Sequence, residues 1–120
     1  MPYIIQGESP PLPREPVQLN GVTYVPLRDL TETLGGSYEW DEEETFPSAT
    51  IARWSAVLEI GSAVGSVNGA EVTFSAPIVS QDGTIWAPAD FFYNAFGFVV
   101  AVDGKTVSIT NPNSNGNGGK

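Results

Sequence analysis

LNGVTYVPLRDLTETLGGSYEWDEE, residues 19–43, spells out a structural unit in order. Asn20-Gly21 is a two-residue turn signal, because a type I′ hairpin turn needs positive φ at both central positions and Asn and Gly tolerate it. Its flanks, Val17-Gln18-Leu19 and Val22-Thr23-Tyr24-Val25, read as paired strands. Leu27, Leu30 and Leu34 then recur at helical spacing between Pro26 and Gly35-Gly36, giving one apolar stripe with a proline entry and a glycine stop. In Ser37-Tyr38-Glu39-Trp40-Asp41, alternation puts Tyr38 and Trp40 on one strand face and Glu39 and Asp41 on the other. Leu30 and Trp40 are expected in the core.

The same order returns 62 positions later, with Gly21 lying over Gly83. Residues 20–27 align with 82–89, and residues 34–41 with 96–103. Tyr24 falls on Trp86, Leu30 on Phe92, and Ala89, Phe92 and Phe96 form a second helical stripe between Pro88 and Gly97. This predicts an internal duplication of a hairpin-helix-strand-turn-strand unit. Four hairpins are expected in all, at Asn20-Gly21, Asn68-Gly69, Asp82-Gly83 and Asp103-Gly104. Both helices are too short to be stable alone and must lean on the sheet. The expected class is α+β, with antiparallel β-hairpins curved around two short helices.

Outside this body the composition shifts. Five of the ten prolines lie in the first 16 residues, so residues 1–15 read as an extended Pro-rich arm or linker. Pro10 and Pro13 have the spacing that proline-reading domains use, but Arg14 stands one place early for the flanking cation. Residues 111–120, NPNSNGNGGK, cannot bury enough apolar surface to order and read as a flexible tail. One domain, residues 16–110, between two linkers has the layout of a module from a longer protein. The opening shows no basic start followed by a signal-peptide apolar run.

The 120 residues include no histidine and no cysteine. Imidazole bases, Ser-His-Asp triads, catalytic thiols, Cys/His zinc sites and disulfides are therefore excluded. Five basic against 14 acidic side chains give a net charge of −9. That charge cannot supply the basic stripe that neutralises phosphates, so no nucleic-acid partner is expected. An anionic membrane surface would be repelled, and no apolar run reaches the roughly 20 residues that span a bilayer, so no membrane insertion is expected.

The quoted segment resembles the repeat of the copper amine oxidase N-terminal-like domain, or stalk domain. The family pattern is an Asn-Gly turn, an aromatic or apolar strand, Val-Pro-Leu-Arg, a short helix ending in Leu-Gly, and a strand ending in Trp-Asp. Here these are Asn20-Gly21, Tyr24, Val25-Pro26-Leu27-Arg28, Leu34-Gly35 and Trp40-Asp41. The stretch LEIGSAVGSVNGAEVTFSAPIV is similar to the family's connecting hairpin, so the resemblance covers about residues 16–110. The second copy departs from it, with Ala87-Pro88-Ala89-Asp90 for Val-Pro-Leu-Arg and Val102 for the tryptophan. The resemblance implies a non-catalytic accessory module, extracellular or cell-wall associated in Gram-positive bacteria, joined to wall proteins or peptidoglycan hydrolases, some of them phage endolysins. The expected role is binding of cell-wall glycan or another protein, the alternative being a structural stalk or self-association element without a ligand of its own. The resemblance does not import copper, which belongs to a separate catalytic domain of the oxidases, and no cofactor is expected.

The remaining chemistry rests on carboxylates, hydroxyls, amides and aromatics. The run Asp41-Glu42-Glu43-Glu44 offers oxygens for calcium, yet lacks the sharp-turn glycine of an EF-hand and reads as a solvated turn. Asp41 and Asp103 could suggest a glycosidase pair, but the repeat explains both as turn-openers. Gly61, Gly65 and Gly69 lack phosphate-loop spacing and fit a bent strand instead. Arg28 has the fork to clamp a ligand carboxylate, though an ion pair with a nearby acid is the simpler expectation. Flat polar-tipped rings stack on sugars or anchor protein interfaces. The candidate contacts are therefore Trp54, Tyr38, Tyr93 and Arg28, with Trp54 the favoured exposed anchor.

Overall fold

The computed structural model describes residues 3–40 and 46–110. In chain order the elements are β1 (Tyr3–Ile5), β2 (Val17–Leu19), β3 (Val22–Pro26), α1 (Leu27–Thr33), β4 (Ser37–Glu39), β5 (Ser48–Ile51) and β6 (Trp54–Val57). There follow β7 (Val64–Val67), β8 (Ala70–Thr73), β9 (Val79–Gln81), β10 (Thr84–Pro88), α2 (Phe91–Phe96), β11 (Val99–Asp103) and β12 (Thr106–Thr110). They form three sheets, β2-β3-β10-β9, β4-β5-β6-β7-β8 and β1-β12-β11, with two short helices, an α+β fold.

Three of the four expected turns sit where Asx-Gly stands. Asn20-Gly21, Asn68-Gly69 and Asp82-Gly83 all have positive φ at both central residues, the type I′ pattern. The fourth moves by one residue. Asp103 pairs with Thr106, so Gly104-Lys105 makes the turn, with positive φ at Gly104 alone. That register sets Val100 opposite Ile109 and Val102 opposite Val107. A turn centred on Asp103-Gly104 would instead put Val102 opposite Lys105 and break the apolar pairing. A further hairpin joins β5 to β6 through Ala52-Arg53, with Ala52 at φ +56°. Asn68 holds that corner, its side chain accepting from the Ser55 amide at 2.8 Å and donating to the Arg53 carbonyl at 3.1 Å.

Helix α1 follows the expected pattern. It closes with a Schellman motif, the Gly35 and Gly36 amides donating to the Glu32 and Thr31 carbonyls at 3.1 and 2.9 Å, with Gly35 at φ +89°. Gly36 is also required by space, since a methyl there would meet the Thr50 carbonyl and lie 2.6 Å from Ile51. Helix α2 begins later than the stripe from Ala89 predicts. The Ala89 amide donates to the Thr23 carbonyl at 2.9 Å, which keeps Pro88 and Ala89 beside β3 and delays the helix to Phe91.

Residues 3–15 depart from the expected arm. β1 pairs in parallel with β12, Tyr3 opposite Val107 and Ile5 opposite Ile109, and Tyr3 is fully buried. A Gln6-Gly7 turn with positive φ at both residues folds the chain back on itself, and Leu12 packs against the core. Burying those side chains outweighs the local preference of a Pro-rich segment for extension. The core joins them to Val25, Leu27 and Leu30 of the first hairpin-helix unit and to Phe91 and Phe92 of the second. Phe91 is its centre, edge-on to Phe74, Phe92 and Phe96 at centroid distances of 5.3, 5.0 and 5.5 Å. In the four-stranded sheet β3 and β10 run antiparallel, with Val25 opposite Ala87, Tyr24 opposite Pro88 and Pro26 opposite Trp86.

Candidate functional site

The central antiparallel pair carries side chains at alternate positions to opposite faces. On β10, Ile85 and Ala87 are buried while Thr84 and Trp86 remain partly open. Helix α1 lies beside this strand, and β4 follows the helix, so Tyr38 and Trp40 arrive next to Thr84. The result is a groove of about 450 Å³ between α1, the start of β10 and the end of β4. Trp40 packs against the core and also lines this groove. A neighbouring groove of about 410 Å³ continues past Thr84 to Trp86, Gln81 and Asp82, and Arg14 borders both.

The polar rim consists of alternating charges. Arg14 Nη1 meets Asp29 Oδ2 at 3.1 Å, and Arg28 Nε meets Glu32 Oε2 at 3.2 Å along the exposed face of α1. Two of the chain's three arginines thus border one groove of an acidic protein, each engaged with a carboxylate. Burial pushes the Tyr38 phenol up to about 12, with the Arg28 charge pulling the other way. Tyr38 is therefore a neutral hydrogen-bonding group at physiological pH. Arg14 is itself placed by the core, because the buried Tyr3 hydroxyl donates to its carbonyl at 2.7 Å.

Of the four candidate contacts, the structure brings Arg28 and Tyr38 together in this groove. Trp54 and Tyr93 line neither groove. Trp54 sits at the β5–β6 corner, 40% exposed, with the Arg53 guanidinium 5.7 Å from its ring centre. Tyr93 stands out from α2, 61% exposed. Trp86 and Arg14, which the sequence reading did not select, are the additions. The matching of Trp86 with Tyr24 in the repeat was the available signal for the first, whereas Arg14 reaches the groove only through the fold.

Among the described residues no cluster of three or more acidic side chains is placed to hold a metal ion, and no helix is long and apolar enough to cross a membrane. The acidic turn considered for calcium, residues 41–44, lies outside the described residues. The two grooves share Arg14 and Thr84, and their lining combines aromatic rings, hydroxyls, an amide and paired charges. The carboxylates bordering the larger groove, Asp29 and Glu32, both accept from guanidinium groups, an arrangement that positions rather than transfers protons.

A comparison with curated proteins returned no match. The family model described as the copper amine oxidase N-terminal domain matches residues 4–111. That span takes in all three sheets and both helices, β1 included from its second residue. The chain belongs to the copper amine oxidase N-terminal domain family, a non-catalytic accessory module.

Proposed function

We propose that this module binds neutral glycan of the bacterial cell wall along the trough formed by the two adjoining grooves, without turnover. The observation that carries this reading is that Tyr38 and Trp40 line one groove and Trp86 the next, the two sharing Arg14 and Thr84. Flat rings give apolar sugar faces a stacking surface, and the arginine forks, Gln81 and the Tyr38 hydroxyl give the sugar hydroxyls and amides partners. A net charge of −9 disfavours anionic wall polymers and favours an uncharged polysaccharide. On this reading the parent is an extracellular or wall-acting protein, a phage endolysin included, and the module holds it on its substrate. The repeated hairpin-helix units fit a duplicated origin, since the residues that pair across β3 and β10, Val25 and Ala87, are also those the 62-position shift superposes.

The test is retention on purified Gram-positive sacculi stripped of their charged polymers, together with titration of the β-1,4-linked N-acetylglucosamine hexamer followed by tryptophan fluorescence. Retention on stripped walls and a saturable titration are expected, and removing one stacking ring, as in Trp86→Ala or Tyr38→Ser, weakens binding roughly two- to tenfold. Failure of the native protein to bind either material would leave the module as a stalk or self-association element, which size measurements against concentration would then separate.

A further inference from the structure

The larger groove has a counterpart on the other hairpin-helix unit. A smaller cavity of about 160 Å³ is lined by Val22, Thr23, Ala89, Asp90, Val102 and Ser75. Shifted by 62 positions, Val22 and Thr23 correspond to Thr84 and Ile85, Asp90 to Arg28, and Val102 to Trp40 of the larger groove. Each opening also has a polar contact near its helix start, though at non-equivalent positions: Arg14 reaches Asp29, and the Ser75 hydroxyl donates to Asp90 Oδ1 at 2.9 Å. The chemistry is inverted. Where the first groove has an arginine and an indole, the second has a carboxylate and a valine, and no basic side chain lines it among the described residues.

This cavity opens beside β11, the edge strand of its sheet. β11 is five residues long, Val99-Val100-Ala101-Val102-Asp103, whereas the other edge strands have three residues (β1, β2, β4 and β9) or four (β8). Val99 and Val102 are 53% and 46% exposed, and neither proline nor lysine interrupts the strand. Those are the devices that normally blunt a sheet edge. We propose that β11 is a docking edge for an extended, lysine-bearing segment of a protein partner, which adds as a further strand and places one lysine in the Asp90 cavity. A residue opposite Val102 on an added strand lies about 5 Å from it and points to the same face, toward Asp90. The occupant is cationic because, among the described residues lining the cavity, the one charged group is the Asp90 carboxylate, and the whole chain carries −9. A second copy of this chain would bring like charge to the same edge. The proposal is independent of the glycan trough, since the described residues that line the cavity are distinct from those that line the trough.

The test uses the full isotope-labelled chain, the peptide Ac-Ser-Lys-Val-Lys-Val-Thr-Lys-amide, and its counterpart with glutamate for each lysine. Amide shifts and exchange protection are expected on alternate residues of Val99–Asp103 and at Asp90, with the lysine peptide only. Asp90→Asn keeps the acceptor for Ser75 and weakens binding on the order of fivefold. Val102→Lys abolishes it while the remaining amide spectrum stays native. Shifts scattered over the acidic surface without protection of β11, equal binding of the glutamate peptide, or indifference to Asp90→Asn would overturn the proposal. So would dimerisation through β11, or protection of β11 in the free protein by the chain's own residues 111–120.

Discussion

Tyr3→Ala removes a fully buried ring from a segment whose composition reads as a linker. In the structure that ring packs on β12, where Tyr3 stands opposite Val107, and its hydroxyl holds the Arg14 carbonyl at 2.7 Å. Truncating a buried aromatic side chain leaves a cavity and costs about 3–5 kcal/mol. A domain of this size has about 5–15 kcal/mol in total, so the variant should unfold at a much lower urea concentration and melt at least about 12 °C below the native protein. Tyr3→Phe isolates the second contact. It keeps the ring, loses one hydrogen bond worth about 1 kcal/mol, and frees the carbonyl that fixes Arg14 at the border of both grooves. Its fold should survive while its titration with the N-acetylglucosamine hexamer weakens. A Tyr3→Ala urea midpoint indistinguishable from native would refute the placement of β1 in the core. Native hexamer affinity in Tyr3→Phe would refute the link from core to groove.

The Thr31 hydroxyl is fully buried and has no hydrogen-bond partner among the described residues, so Thr31→Val, which keeps the side-chain shape, should raise stability by about 1 kcal/mol in urea titration. Gly36→Ala drives a methyl into the Thr50 carbonyl and the Ile51 side chain, and should lower the melting temperature by several degrees, while the same change at the open position Gly7 costs only the strain of its positive φ. Burial raises the phenols of Tyr3, Tyr24 and Tyr38 above the free-tyrosine value, with Tyr38 at about 12. Because the folded state holds these protons more tightly, their stabilisation is complete below about pH 10 and is lost as pH rises toward 12. Denaturation monitored against pH should show that alkaline decline, and the tyrosine absorbance titration should run above the free-amino-acid curve.

The hairpins were legible because their signal is local. Positive φ at two consecutive residues is a demand that Asn20-Gly21, Asn68-Gly69 and Asp82-Gly83 meet without help from the rest of the chain. The Ala52-Arg53 turn carries no such residue. Its geometry follows from the pairing of Ile51 with Trp54 across two strands whose inner faces must both reach the core. β1 was illegible for the same reason in stronger form, since its partner strand lies at the far end of the chain and pairs in parallel. The site divides likewise. Arg28 and Tyr38 come from one continuous segment and could be selected by type, whereas Arg14 and Trp86 join them only when β10 is laid beside β3 and the opening segment is pinned by Tyr3.

The two hairpin-helix units separate what the fold requires from what a ligand would require. Leu30 and Phe92 are both fully buried, Gly35 and Gly97 both stop a helix at positive φ, and Pro26 and Pro88 both end the central strands. Packing and backbone geometry constrain these positions, so the units agree there. They disagree at Arg28 against Asp90 and at Trp40 against Val102, positions that line an opening in each unit. Arg28 and Val102 are exposed, and substitution at such positions costs little folding energy, whereas Trp40 packs against the core as well as lining its groove. Under a duplicated origin, the first unit keeping an arginine and an indole while the second carries a carboxylate and a bare strand edge is the outcome expected of two surfaces adapted to different chemistries. On the proposed reading, the gathering of Tyr38, Trp40, Trp86 and two of the chain's three arginines along the adjoining grooves is what favours recognition over reach alone.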